Sequence, residues 1–129
     1  WAVDLRRGWP HIAEEARLLL EGRDELPAFH EISREVGYIS KDRNWKTFML
    51  MGYGLRSERN LRACPQTAAI LAGIPAVETA LFSILEPGKR LPVHRGPYNG
   101  VLRVHLALVV PQAAERCWIR VGGERRTWA

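Results

Sequence analysis

At 129 residues, with 47% apolar and 26% charged, the chain has room for one packed domain and is neither a disordered tail nor a fibre. A net charge of +5 suits an anionic partner, yet Arg6, Arg7, Arg56, Arg59, Arg62, Arg125 and Arg126 are scattered, so a nucleic-acid stripe is not indicated. No apolar run approaches the roughly 18 residues of a membrane span.

Trp9-Pro10 followed by HIAEEARLLLEG predicts a helix with Pro10 in its first turn. Glu14 and Glu15 favour its positive end, Ile12, Ala16, Leu19 and Leu20 make the apolar stripe, and Gly22 is the stop. Residues 23–44 have a mixed pattern, read as loop with one short helical turn. His11 and His30 read as surface residues.

Trp45 to Met51 is rich in large apolar side chains and bounded by Asn44, Gly52 and Gly54, which predicts a strand. Arg56 to Arg62 reads as polar and exposed. Pro65 opens a second helix, 66–72, closed by Gly73. Val77 to Leu85 is the next strand, with Thr79, Leu81, Ser83 and Leu85 on one face, and Glu86-Pro87-Gly88-Lys89 is a turn.

A loop, His94 to Gly100, leads into Val101–Val110, which alternates like a strand. Leu102, Val104, Leu106, Leu108 and Val110 form a wholly aliphatic face that should be buried. Val101, Arg103, His105, Ala107 and Val109 share the other face. A strand apolar on both faces is expected to be covered on both, so Arg103 and His105 should point into an enclosed space. Gln112 to Arg116 connects to a strand over Cys117–Val121. Gly122-Gly123 turns a hairpin, and Glu124–Trp128 returns. Trp118 and Trp128 read as packing residues.

These elements predict one domain over 1–129: helical support over about 1–44 and a β-core over about 45–129. Short strands at close spacing point to a sandwich or small jelly roll, mainly β, rather than a parallel doubly wound sheet. Cys64 and Cys117 lack C-x-x-C spacing and read as free thiols in a reduced, cytosolic setting. Trp1 is not a natural start and the last hairpin arm stops at Ala129, so both ends read as trimmed.

Two residue patterns bear on chemistry. His94 and His105 either share a divalent metal or are hydrogen-bonded histidines near a barrel mouth. Arg103 needs an anion, either a bound carboxylate or an internal acid such as Glu86 or Glu78. Ser83 could donate to such a carboxylate, and Trp45 is either core or pocket wall. No nucleophile elbow, phosphate loop or zinc-ribbon spacing is present.

The stretches FSILEPGKRLPVHRGPYNGVLRVHLALVVP, CWIRVGGERRTW and NWKTFMLMGYG with CPQT closely resemble the aspartyl/asparaginyl β-hydroxylase family, which includes bacterial enzymes hydroxylating acyl chains of lipid A. The resemblance runs from about Asn44 to the C-terminus. It implies a double-stranded β-helix, cupin-like and here incomplete, and an Fe(II)- and 2-oxoglutarate-dependent dioxygenase using O2 to hydroxylate an unactivated C–H. By that resemblance His94 is the first iron ligand. Gly96 stands where most 2-oxoglutarate oxygenases carry an acidic ligand, as is usual in this branch. Arg103, His105 and Ser83 match cosubstrate-holding residues, and Trp45 matches a tryptophan of the same pocket.

The second iron histidine and the last strands are expected beyond Ala129. The substrate implied is a lipid A acyl chain or an Asp/Asn side chain. Nucleic acid is not expected, and membrane contact is expected only through substrate or through segments outside this chain. The competing reading is a non-catalytic, anion-binding β-barrel module.

Overall fold

Residues 1–96 and 98–128 are described by the computed structural model. The first helix, α1, spans Ala2–Glu21. A 3-10 turn (Arg23–Glu25), a short α2 (Phe29–Ile32) and a second 3-10 turn (Arg34–Tyr38) follow it. Strands β1 (Trp45–Gly52) and β2 (Leu55–Arg56) precede α3 (Glu58–Ala63) and α4 (Pro65–Ala72), and β3 (Thr79–Leu85) completes the first sheet. A last 3-10 turn (Ala114–Arg116) leads to the hairpin β4 (Trp118–Val121) and β5 (Glu124–Thr127). The fold is a mixed one, N-terminal helices with antiparallel sheets, and more of it is helical than stranded. The sheets are separate: a three-stranded β2-β1-β3 and the two-stranded β4-β5.

α1 starts eight residues earlier than its proline suggests, so Pro10 lies inside the helix and not in its first turn. Proline inside a helix lacks the N–H that would reach back one turn. Tertiary packing overrides that loss. Gly8 is buried against α4, where a Cβ would come within 3.1 Å of Ile70 Cγ1, and Leu5 packs on the core. Glu15 fastens the same two helices, its carboxylate accepting from Gln66 N–H (2.8 Å), Thr67 N–H (2.9 Å) and the Thr67 hydroxyl (2.6 Å) at the start of α4. A carboxylate at a helix N-terminus satisfies donors that have no partner within the helix.

β1 and β3 pair antiparallel from Trp45↔Leu85 to Gly52↔Thr79, with a bulge between Met49 and Met51. Phe48, Leu50 and Phe82 face the helices and join Ile12, Ala16, Leu61 and Cys64 in the core. The stretch Arg56–Arg62, expected to be polar and exposed, contains α3, whose Leu61 is buried; Ser57 caps it, its Oγ accepting from Asn60 N–H. α4 and the 86–89 turn match expectation: Gly73 ends the helix, and Lys89 N–H reaches Glu86 C=O (3.0 Å) with Gly88 at φ +78°. Pro before Gly in that order makes a type II turn, in which only the third residue needs positive φ.

The largest departure is Val101–Val110. It forms no strand and pairs with none among the described residues. Its aliphatic face is not buried as a whole: Leu102 is 92% and Val104 57% exposed, and only Leu106 and Leu108 reach the core. A pleated segment becomes a strand only where a neighbour completes its ladder, and β3 does not pair with it. The segment is held instead by the Trp9 indole, which donates to Ala107 C=O at 2.7 Å. Arg103 and His105 are accordingly exposed, not enclosed.

Candidate functional site

The sheet face opposite α1, α3 and α4 carries Trp45 on β1 and Ser83 on β3. Thr47 and Ser83 are cross-strand partners, which sets Ser83 one pleat from Trp45 on the same face. Trp45 is buried beneath Phe29, edge to face at 4.9 Å between ring centroids. Its indole N–H donates to Ser83 Oγ at 2.9 Å. An indole can only donate and a hydroxyl can do both, so Ser83 keeps its own O–H for another acceptor. Ser83 is exposed, so that acceptor can come from solution.

His94 lies over the same face, its ring centroid 6.4 Å from that of Trp45. His94 Nδ1 is 2.7 Å from Pro92 C=O. A carbonyl only accepts, so the proton sits on Nδ1 and the lone pair on Nε2. That arrangement is the one by which a protein fixes an imidazole as a metal ligand. Iron fits the site in this one respect and no further. Among the described residues no group of three or more His, Cys, Asp or Glu is placed to hold a metal, and Gly96 offers no carboxylate.

Gly96 has a different use. The Arg103 guanidinium packs onto it so closely that a Cβ there would lie 2.9 Å from Cζ. The choice between an internal acid and a bound carboxylate for Arg103 also resolves in part. Glu86 is taken by Lys46 (3.2 Å) and Arg23 (3.3 Å), and among the described residues Arg103 forms no ion pair. Its charge is therefore available to an anion.

His105, two residues on, stands 6.3 Å from Trp128 between ring centroids. Partial burial of the ring on its protein-facing side, and then the charge of Arg103, push its pKa below the usual histidine value although the residue remains exposed. A neutral imidazole beside a guanidinium can accept or donate one hydrogen bond without adding to the local charge. The structure thus assembles two groups: Ser83–Trp45–His94 on the sheet face, and Gly96–Arg103–His105–Trp128 around the Val101–Val110 segment.

Several contributors had no sequence signal. Phe29, in a segment read as loop, walls Trp45. Lys46, on the opposite face of β1 and buried, joins Asp24 and Glu86 at 3.2 Å each. His30 is half-buried, and its buried Nδ1 has no hydrogen-bond partner among the described residues, so it is not a plain surface histidine. Trp118 is 42% exposed and stacks with arginines, so it is not a packing residue. Cys64 and Cys117 are both free.

Comparison with known proteins places this geometry in context. A family model described as Aspartyl/Asparaginyl beta-hydroxylase matches residues 6–129. An ornithine lipid ester-linked acyl 2-hydroxylase of Rhizobium tropici is 49% identical over 128 residues, covering 99% of this chain and 46% of that protein. The human aspartyl/asparaginyl beta-hydroxylase is 30% identical over 135 residues, covering 96% of this chain and 16% of that protein. The human aspartate beta-hydroxylase domain-containing protein 2 is 37% identical over 91 residues, covering 66% of this chain and 24% of that protein. The chain spans less than half the length of each of these relatives. No solved structure matches it at a significant level.

Proposed function

Because this chain belongs to the aspartyl/asparaginyl β-hydroxylase family, we propose that it is the cosubstrate-holding part of an Fe(II)- and 2-oxoglutarate-dependent hydroxylase. The observation that carries the reading is Arg103, a guanidinium without an acidic partner among the described residues, seated on Gly96 two positions after His94. A planar fork of donors suits the terminal carboxylate of a keto diacid.

The residues divide the work as follows. Arg103 pairs with the distal carboxylate. Ser83, polarised by the Trp45 indole, donates its O–H to the same or a neighbouring oxygen. His105, kept neutral beside Arg103, gives one more hydrogen bond without repelling the arginine. Trp45 and Phe29 exclude water from one side of the pocket. His94 Nε2 would supply one ligand to Fe(II), whose role when bound is to couple O2 and the keto acid to C–H oxidation. The remaining ligands are not among the described residues.

A jelly-roll arrangement fits this reading, because the sequence of Val101–Val110 alternates like a strand and the segment has no ladder partner among the described residues. On substrate, the 49% identity to a lipid acyl hydroxylase against 30% to the human aspartyl/asparaginyl enzyme favours an ester-linked acyl chain over a peptide side chain. A lipid A acyl chain is a narrower version of the same chemistry.

The test is turnover by the whole protein containing this chain. With Fe(II), O2 and 2-oxoglutarate, an ornithine lipid should gain one oxygen atom on its ester-linked acyl chain with stoichiometric succinate. Succinate without lipid oxidation would move the substrate to another class. No succinate under any substrate would favour the non-catalytic anion-binding module.

A further inference from the structure

The β4-β5 hairpin has a feature that the pocket does not use. Its register sets Trp118 opposite Thr127 and Arg120 opposite Arg125. Paired residues share a face, so one side of the hairpin presents Trp118, Arg120, Arg125 and Thr127 together. Both guanidinium carbons lie over the Trp118 ring, Arg120 at 5.5 Å and Arg125 at 4.8 Å from its centroid. The hairpin's acid, Glu124, is on the other face and is taken by Arg126 at 2.8 Å.

Two like charges directly opposed in a ladder repel each other, and stacking on one indole relieves only part of that. Among the described residues neither Arg120 nor Arg125 forms an ion pair. An anion seated between them would remove the repulsion. Trp118, on this face, is 42% exposed. Paired guanidinia beside an exposed indole are the chemistry of a membrane interface: guanidinia take lipid phosphates and the indole sits at headgroup depth. The patch is compact and has one aromatic, which suits a bilayer surface better than the long stripe a nucleic acid requires.

We propose that this face of the hairpin docks the protein on an anionic phospholipid surface. Docking would bring the bilayer to the candidate site, because the hairpin's base adjoins it: Trp128 N–H reaches Cys117 C=O at 3.3 Å and the Trp128 ring stands beside His105. The proposal rests on the hairpin alone, and its failure leaves the pocket reading intact.

The experiment is co-sedimentation of the full chain with phosphatidylcholine vesicles, with and without about one third phosphatidylglycerol. Binding should require the anionic lipid and weaken with salt. Arg120→Gln/Arg125→Gln should reduce it by about tenfold or more, Trp118→Ala should reduce it several-fold with the charges in place, and Arg6→Gln/Arg7→Gln on α1 should leave it nearly unchanged. Far-UV circular dichroism of each variant checks that the fold survives. Equal binding to neutral vesicles, an equal loss in the α1 variant, retained binding in both hairpin variants, or displacement by duplex DNA each overturns the proposal.

Discussion

The Trp45 indole N–H and the Ser83 hydroxyl are joined at 2.9 Å across β1 and β3. The bond spends the only polar group of a buried ring on a residue whose own O–H remains free to donate to an acceptor outside the protein. Removing either end should be felt at the pocket. Ser83→Ala should weaken 2-oxoglutarate binding by about tenfold, the worth of one hydrogen bond to a charged group, and Trp45→Phe by less. Isothermal titration of both variants checks the order; equal affinity in all three proteins would remove Ser83 from the pocket.

Gly96 leaves little room for a side chain. A Cβ within 2.9 Å of Arg103 Cζ must push the guanidinium off its seat. Gly96→Ala should cost cosubstrate affinity while leaving thermal stability nearly unchanged. Gly96→Asp should cost more, because the new carboxylate would pair with Arg103 and compete with the ligand. Binding isotherms set beside melting curves separate the two effects.

His105 titrates below the usual histidine range because of burial and the charge of Arg103. A depressed histidine pKa means that the folded state resists protonation. Its stabilising share is therefore full above the ordinary value and is lost as pH falls through that value toward the folded one. A two-dimensional NMR titration should place His105 below an unfolded reference histidine, and Arg103→Gln should raise it. No upward movement in that variant would contradict the coupling.

Cys64 offers the opposite sign. Burial first, and then the neighbouring Glu15 charge, raise its thiol from 9.0 to about 11. The folded state favours the thiol, so stability is complete below pH 9 and declines as pH rises toward 11. Cys64→Ala should flatten that alkaline loss. In the native protein a thiol reagent near pH 8 should label Cys117 and spare Cys64.

Glu15 accepts three hydrogen bonds at the start of α4. Glu15→Gln keeps the shape but removes the charge, and should cost about 2 kcal/mol of stability. Urea unfolding measures it. A cost near zero would mean that α4 is held to α1 by the Gly8–Ile70 contact alone.

Elements with local signals were legible. β1, β3, α4, the Pro87-Gly88 turn and the Gly122-Gly123 hairpin follow from alternation, Pro and Gly placement. Misreadings arose where tertiary contacts overrule local pattern: Pro10 inside α1, Leu61 buried in a charged stretch, and Val101–Val110 without a ladder among the described residues. Alternation reports what a segment could pair with, not whether a partner is present. At the candidate site, Ser83, Trp45 and His94 lie together on one sheet face, whereas Arg103 and His105 are exposed on the Val101–Val110 segment. Phe29, Lys46 and the Trp118–Arg pairs depend on register and on chain crossings that no window of sequence contains.

The central claim is that Arg103 is reserved for a dicarboxylate. Titration of 2-oxoglutarate into the protein with Fe(II) under nitrogen, for wild type and Arg103→Ala, addresses it most directly. Saturable binding that falls by well over about tenfold in the variant, with the fold intact, is the expected result. Equal affinity in the two proteins would contradict the claim.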